Sequence, residues 1–317
     1  MIRVTRAGQT VSARSPAKLN LFLEILGKLP NGYHELETLM TTVSIYDTLE
    51  LAPHDSSDIE LEANWGLGYQ ARSCADLAAG AATVWEALPD SRSNLVYRAL
   101  DRLRESTGER RGVRASLVKQ IPAAAGLGGA SGDAAAALLA GNEFWNLGLK
   151  SEQLLAIANS LGSDIAFFMT AAATPITSAV CRGRGERVEP IAHLPSIPCV
   201  LVRPPAGLAT PAVFRICRPS PQPRAVEPLI TALQCGDLGA AGRLLHNGLQ
   251  AAACELSPWV ARLAKLLAKY EVAGHQMSGS GTTYFALCYH ARQARQLAGR
   301  LQQAGVGAVY QAVTAAP

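Results

Sequence analysis

A glycine-rich segment, PAAAGLGGASGD at residues 122–133, is the first candidate for chemistry in this sequence. It joins a predicted strand (115–122) to a predicted Ala-rich helix (133–145). Glycine lacks a Cβ atom, so the backbone of such a loop can approach a ligand closely. The helix that follows presents unpaired N–H groups and the positive end of its dipole to an anion. The segment therefore predicts a phosphate-binding site.

Two common nucleotide-binding loops are excluded by identifiable positions in this segment. It does not end in Gly-Lys-Ser or Gly-Lys-Thr, so it is not a Walker loop. Ser131 stands where the dinucleotide fingerprint needs its last glycine. On the loop alone, a strand-to-helix turn that binds no ligand remains an alternative.

A Tyr-His pair is the second candidate, because Tyr33 and His34 directly follow the turn signal Asn31-Gly32. A tyrosine ring offers a stacking surface, and the ring nitrogens of histidine can hydrogen-bond to the edge of a base. The pair is suited to a pyrimidine ligand. A loop that packs on a hydrophobic core is the alternative interpretation.

Periodicity and turn residues predict the elements that must position these groups. The β-like segments are 11–27, partly buried on both faces, then 41–51, 176–183 and a run from Val200. Predicted helices cover 94–104, 151–161, 229–251 and 258–270, and a helical excursion or an insertion is expected within 64–92, around the Ala-rich run 75–82. Loops are predicted at 162–164 and 218–228, a second glycine-rich element covers 277–288, and a domain boundary is expected near 195–198.

Composition excludes several classes of protein. Lysine and arginine number 29 against 25 aspartates and glutamates, and no basic stripe is present, so nucleic acid is not an expected partner. Seven scattered cysteines form no metal-binding cluster, which indicates a reduced protein without structural zinc. No apolar run is long enough for a signal peptide or a membrane span. We therefore expect a cytoplasmic protein with no membrane partner.

Three segments together resemble the motifs of the GHMP kinases, the superfamily of galactokinase, homoserine kinase and mevalonate kinase. They are SPAKLNL (15–21), the glycine loop at 122–133 and MSGSGT (277–282), in the order that the superfamily shows. The resemblance implies an α+β protein with a ribosomal-protein-S5-like N-terminal domain and a ferredoxin-like C-terminal domain. It places these domains at 1–197 and 198–317.

The resemblance also implies binding of ATP and Mg²⁺. The implied nucleotide-binding residues are Asn94, Leu95, Lys119, Pro122, Ala123, Ala124, Ala125, Gly126, Leu127, Gly128, Gly129, Ala130, Ser131 and Gly132, with Ser131 also near the metal. Two residues depart from the superfamily pattern: Gly132 replaces a serine, and Asp133 replaces an asparagine. Asp133 brings negative charge near phosphates, so it must cap the helix, face away or meet Mg²⁺. The sequence leaves these three roles open.

The segment NGYHEL (31–36) resembles the branch of the superfamily whose small-molecule substrate is a cytidine diphosphate compound. That resemblance implies a cytosine held between the rings of Tyr33 and Phe214. The other implied substrate-binding residues are Asn20, His34, Thr210, Gly279 and Ser280. Core packing is the alternative role for Phe214.

Asp164, in GSDIAFF (162–168), corresponds to the proposed base of the superfamily, and Lys18 corresponds to its lysine partner. The resemblance thus implies a kinase in the non-mevalonate route to isoprenoid precursors. We expect a monomer or a weak homodimer. Read without it, Asp164 is a possible helix N-cap and Lys18 a surface lysine. Two other functions stay open: a homoserine or mevalonate type of kinase, and a non-catalytic nucleotide-binding regulator.

Overall fold

The computed structural model describes residues 1–30, 32–66, 88–174 and 176–315. The helical excursion or insertion expected within 64–92 falls, for residues 67–87, outside the described residues. Within them, no helix combines the length and the apolar composition that crossing a membrane requires.

The strands form two sheets. They are β1 (Arg3–Ala7), β2 (Thr10–Lys28), β3 (His34–Pro53), β4 (Ile59–Trp65), β5 (Val113–Lys119), β6 (Ser178–Gly183), β7 (Arg187–Pro190), β8 (Pro198–Arg203), β9 (His246–Asn247), β10 (Gly274–Met277), β11 (Tyr284–Leu287) and β12 (Ala308–Val313). The first sheet has the order β1-β2-β3-β5-β4, with β6 beside β3, β7 beside β6 and β9 beside β2. The second is antiparallel and has the order β10-β11-β8-β12.

The helices lie between these strands in the chain. They are α1 (Leu95–Thr107), α2 (Gly129–Phe144), α3 (Ser151–Leu161), α4 (Ser163–Ala173), α5 (Thr210–Ile216), α6 (Glu227–Gln234), α7 (Leu238–Leu244), α8 (Gln250–Leu256), α9 (Pro258–Leu267) and α10 (Ala291–Gln303). Helices packed on two largely antiparallel sheets make this an α+β fold, as predicted. The second sheet begins with β8 at Pro198, and the division of the chain at 197/198 stays a prediction.

The predicted strand at 11–27 is the long strand β2, and its central residues are buried on both faces. Its antiparallel pairing with β3 is interrupted by register shifts at Pro16/Ala17 and Asn20/Phe22. Such bulges bend a strand and change the direction of nearby side chains. Lys18 lies between these two irregularities.

Helix α2 packs closely against the first sheet because its inner residues are small. Ala134, Ala135, Ala136 and Ala137 are all fully buried. Helix α4 is anchored in the same core by Phe167 and Phe168, and each buried aromatic side chain contributes roughly 1.5–3 kcal/mol to stability. These contacts fix the first turn of α4, where Asp164 lies.

The structure contradicts three predictions of local structure. The predicted helix 229–251 is divided into α6, α7 and α8, because Gly236 takes a left-handed φ of 73° and β9 pairs with β2. Helix α2 begins at Gly129, four residues earlier than predicted, directly after Gly128. The predicted loop 162–164 is reduced to Gly162, because α4 already begins at Ser163.

Candidate active site

A cavity of about 1220 Å³ is bordered by the glycine loop, the first turn of α4, β2 and α5. The residues predicted from sequence that line it are Lys18, Asn20, Tyr33, His34, Asn94, Leu95, Lys119, Pro122, Ala123, Ala124, Ala125, Gly126, Leu127, Gly128, Gly129, Ala130, Ser131, Asp164, Thr210, Phe214, Gly279 and Ser280. Gly132 is the exception. It is buried in α2, where a Cβ atom would lie 3.2 Å from the carbonyl oxygen of Pro16.

An ion pair joins Lys18 and Asp164 on the wall of this cavity. The Lys18 Nζ atom lies 3.5 Å from Oδ2 of Asp164, and the lysine is buried whereas a third of the aspartate side chain is exposed. Lys18 Nζ also donates to Oδ1 of Asn20 at 2.6 Å, and Nδ2 of Asn20 donates to Oγ1 of Thr38 at 2.8 Å. This chain of hydrogen bonds fixes the ammonium and leaves the carboxylate accessible to a ligand.

The glycine loop lies close to both β2 and the third motif. Gly126 and Gly128 have φ values of 73° and 67°, which disfavour other residues. A Cβ atom at Gly126 would lie 2.2 Å from the Ser278 carbonyl oxygen, and one at Gly128 would lie 2.8 Å from Cγ of Lys18. The backbone N–H of Lys18 donates to the Leu127 carbonyl oxygen at 2.9 Å. The glycines thus allow three segments of the chain to meet.

Helix α2 begins at this loop without a side-chain cap. Its N-cap residue is Gly128, which has no side chain that could accept an N–H group of the first turn. The first residues of the helix, Gly129, Ala130 and Ser131, line the cavity, and N–H groups at a helix start have no partner within the helix. A helix end of this kind is suited to bind phosphate.

A buried cluster of charges lies behind the loop. Lys119 Nζ forms ion pairs with Asp47 and, at 2.6 Å, with Oδ2 of Asp133. Asp47 also accepts the backbone N–H groups of the two residues that follow Lys119. Burial and the neighbouring Asp133 carboxylate raise the pKa of Asp47 to about 7. Burial opposes the charge of Lys119, but the two carboxylates outweigh it and raise the pKa of the lysine.

The surroundings of Asp133 answer the question that the sequence left open. Besides Lys119, its carboxylate accepts a hydrogen bond from Oγ of Ser15 at 2.8 Å. Both carboxylate oxygens are therefore engaged within the protein. The negative charge near the phosphate loop is compensated by Lys119, and Asp133 serves neither as the cap of α2 nor as an open metal ligand.

Aromatic residues lie together at another part of the cavity wall. The rings of His34 and Phe214 have centroids 5.3 Å apart, and Cζ of Arg184 lies 5.0 Å from the Tyr33 ring centroid. Tyr33 is 57% exposed, so ring surface is accessible to a ligand. Partial burial and the charge of Lys28 lower the pKa of His34, which favours the neutral ring. A base between Tyr33 and Phe214 stays a prediction.

The predicted adenine residues border the cavity at the start of α1. Asn94 is the N-cap of this helix, and its Oδ1 accepts the backbone N–H of Val96 at 2.9 Å. Leu95 follows as the first helical residue. Also on the cavity wall, Oγ1 of Thr210 and Oγ of Ser280 are 2.8 Å apart, which joins α5 to the third motif.

Comparison with known proteins identifies the family. The model for the GHMP kinases N terminal domain matches residues 94–172, and the model for the GHMP kinases C terminal domain matches residues 229–307. The 4-diphosphocytidyl-2-C-methyl-D-erythritol kinase of Pelotomaculum thermopropionicum is 38% identical over 295 residues, which cover 92% of this chain and 94% of that protein. The chain belongs to this family of GHMP kinases.

Solved structures agree with this assignment. A crystal structure of 4-(cytidine 5'-diphospho)-2C-methyl-D-erythritol kinase has a TM-score of 0.76 and 31% identity, with both chains fully covered. The homoserine kinase of Cytophaga hutchinsonii has a TM-score of 0.68 at 19% identity over 98% of this chain and 96% of that one. The second likeness shows the shared GHMP kinase fold only.

Some residues of this GHMP kinase site were not predicted from its sequence. Thr38, which orients Asn20, is one of several threonines in β3 and carries no distinguishing signal. Asp47 does carry one, because it is an acidic residue in the otherwise β-like run 41–51. Arg184 lies between two glycines, which also marks an unusual turn.

Proposed function

We propose that this kinase transfers the γ-phosphoryl group of ATP to the 2-hydroxyl of 4-diphosphocytidyl-2-C-methyl-D-erythritol. The products are ADP and the 2-phosphate of that compound. The relatives named above, similar over nearly the whole chain, support this substrate. The reaction belongs to the non-mevalonate route to isoprenoid precursors.

The observation that carries this proposal is the 3.5 Å ion pair of Lys18 and Asp164 in the same cavity as the glycine loop. In our proposal Asp164 accepts the proton of the substrate hydroxyl, because its carboxylate is the accessible member of the pair. Lys18 remains protonated and stabilises the negative charge on the transferring phosphoryl group. Phosphoryl transfer needs mainly positioning and charge stabilisation, which these two groups and the loop supply.

The ATP phosphates are proposed to bind at residues 122–132 and the first turn of α2. The position of this loop on the cavity wall supports this, because glycine has no side chain that would cover the backbone N–H groups. Asn94 and Leu95 would contact the adenine. The ammonium of Lys119 would act mainly through the field of its cluster, because two carboxylates already contact it.

The residues present fit a magnesium ion bound mostly by phosphate. Among the described residues no three His, Cys, Asp or Glu side chains cluster as a metal site. Mg²⁺ in kinases is commonly held by substrate phosphates, waters and one or two protein oxygens, so such a cluster is not needed. Ser131, in the first turn of α2 on the cavity wall, would supply a hydroxyl oxygen. When bound, the ion neutralises charge on the triphosphate.

The alternative functions fit less well. A homoserine or mevalonate type of kinase would leave Tyr33, His34 and Phe214 without a ligand, and proteins of these names share only the fold at 19% identity or less. A non-catalytic regulator would have no use for the buried lysine paired with an accessible aspartate. We further propose that the enzyme acts in the cytoplasm as a monomer or weak homodimer.

A coupled assay for ADP release tests the proposal directly. The purified enzyme is supplied with ATP, Mg²⁺ and, in separate reactions, the cytidyl substrate, homoserine or mevalonate. We expect turnover only with the cytidyl compound, and phosphorus NMR should place the new phosphate on the 2-hydroxyl. Turnover with homoserine or mevalonate instead would overturn the substrate assignment.

A further inference from the structure

The hairpin between β6 and β7 carries Arg184 to the cavity. Its neighbours Gly183 and Gly185 have φ values of 74° and 114°, which allow a tight turn. The backbone N–H of Arg184 donates to Oε2 of Glu186 at 2.7 Å. The carboxylate thereby fixes the turn, and the guanidinium of Arg184 extends over the ring of Tyr33.

The same hairpin also borders the proposed catalytic base. A Cβ atom at Gly185 would lie 3.5 Å from Cβ of Ser163 and 3.7 Å from Oδ1 of Asp164. The backbone next to Arg184 is thus adjacent to the proposed site of proton transfer. The side chain of Arg184 reaches Tyr33, the aromatic residue proposed to contact the cytosine. Arg184 therefore spans the distance between these two parts of the cavity.

Two of the cationic side chains around the cavity are already neutralised by carboxylates. Among the described residues, the cations that line the cavity are Lys18, Lys28, Lys119, Arg184 and Arg215. Lys18 is paired with Asp164, and Lys119 is held by two carboxylates. The ion pair of Arg184 is long, 4.0 Å from Nε to Glu186 Oε2, and that oxygen already accepts the backbone N–H of Arg184. Its guanidinium retains most of its hydrogen-bonding capacity for a ligand.

We infer that Arg184 binds the diphosphate of the substrate, an inference that rests on the proposed function. The diphosphate joins the cytidine to the alcohol that is phosphorylated. With the cytosine at Tyr33 and His34 and the reacting hydroxyl at Asp164, the diphosphate must pass the β6–β7 hairpin. A planar guanidinium can donate two parallel hydrogen bonds to phosphate oxygens, and the same group covers one ring face of Tyr33.

This assignment makes Arg184 a determinant of specificity. It distinguishes a cytidine diphosphate compound from a neutral nucleoside, because only the former brings charge to the guanidinium. Lys28 and Arg215 lie on other elements of the cavity wall. Lys28 ends β2 beside His34, and Arg215 lies exposed on α5.

Calorimetry with CDP and with cytidine as probes tests whether Arg184 binds the diphosphate or only packs on the ring of Tyr33. Arg184→Gln should weaken CDP binding roughly 10- to 100-fold, as loss of a charge-assisted phosphate contact predicts, and change cytidine binding less than about threefold. Arg184→Lys should lose less CDP affinity than Arg184→Gln. The control is Arg187→Gln in the same hairpin, an exposed arginine paired with Glu35, which should bind CDP like the parent.

Kinase assays on the same proteins distinguish failure of the inference from failure of the proposed function. We expect Arg184→Gln to raise the KM for the cytidyl substrate and leave the KM for ATP unchanged, with folding confirmed by thermal unfolding. A parent enzyme that phosphorylates the substrate, with an Arg184→Gln variant that binds CDP as tightly, overturns the inference alone. Equal losses for cytidine and CDP also overturn it. A parent that neither binds CDP nor phosphorylates the substrate overturns both.

Discussion

Lys18 and Asp164 form an ion pair in which the two partners differ sharply in exposure. The side chain of Lys18 is 5% exposed and that of Asp164 is 34% exposed, at an Nζ to Oδ2 distance of 3.5 Å. A hydrogen bond to Asn20 fixes the lysine, whereas the aspartate lies in the first turn of α4 at the cavity. The Asp164 carboxylate is therefore accessible to the substrate and lies next to the fixed positive charge of Lys18.

The first prediction concerns the proton acceptor. Asp164→Asn keeps the size of the side chain, but an amide cannot accept the hydroxyl proton. We expect kcat to fall roughly 10²- to 10⁴-fold, the range for loss of a positioned base, with both substrates still bound. Single-turnover phosphoryl transfer at saturating ATP and substrate measures this step. Asp101→Asn on α1, away from the cavity, is the matched control.

Lys18→Met tests the partner of the base. It removes the charge next to the transferring phosphoryl group, and kcat should fall strongly. If the pair acts as a unit, the double variant with Asp164→Asn should be little slower than the slower single variant. A folded Asp164→Asn enzyme that reacts within a few-fold of the parent rate would remove Asp164 from the mechanism.

The second prediction concerns the glycine loop. In Gly128→Ala the new Cβ atom would lie 2.8 Å from Cγ of Lys18 and 3.2 Å from the ring of Phe168. We expect weaker ATP binding and a lower kcat, because the loop and the lysine must both move. Gly148→Ala is a matched control, since Gly148 has a φ of 66° but nothing within 4 Å of its Cβ position. Calorimetry that finds the same ATP affinity in both folded variants would refute a phosphate role for the loop.

The third prediction concerns the proposed cytosine-binding part of the cavity. Tyr33→Ala removes an exposed ring from the cavity wall, and we expect about 1–3 kcal/mol weaker binding of the cytidyl substrate, as for other bases stacked on aromatic rings. ATP affinity should change little. The comparison variant is Tyr289→Ala, which removes another exposed tyrosine outside the cavity lining. Equal loss of ATP and cytidyl binding in Tyr33→Ala would show that the cytosine binds elsewhere.

The fourth prediction concerns pH. The pKa of Asp47 is about 7 in the folded protein against an ordinary value of 3.8. Between these values the folded state holds a proton that the unfolded state has released, so the free energy of unfolding falls as pH rises. One group of this kind contributes at most about 1.4 kcal/mol per pH unit. Urea unfolding from pH 5 to pH 8 measures the slope.

Asp133→Asn should flatten this pH dependence. The substitution removes a negative charge that raises the pKa of Asp47, while an amide oxygen can still face Lys119. Asp101→Asn should leave the slope as it is in the parent. A slope that is identical in the parent and in Asp133→Asn would mean that the two carboxylates are not coupled.

The sequence predicted the fold, and a set of candidate site residues that share one cavity, because the relevant signals are local. The alternation in 11–27 predicts β2, and the glycines at 126–129 mark a strand-to-helix turn. Three short motifs identified the superfamily, and their residues do line one cavity. The predicted helix at 229–251 was wrong, since its break depends on β9 pairing with a strand more than two hundred residues earlier in the chain.

Residue types, local spacing and the resemblance to the GHMP kinases predicted a phosphate loop, a lysine paired with an aspartate, and aromatic residues suited to a pyrimidine. The structure brings Lys18 and Asp164 together as the resemblance implied. Only the tertiary structure decided that Lys119 meets Asp133 rather than standing open to a ligand, and that Arg184 covers Tyr33. These contacts depend on strand register, on bulges in β2 and on the packing of α4. Such long-range geometry is set by the whole core, so no single segment of sequence contains it.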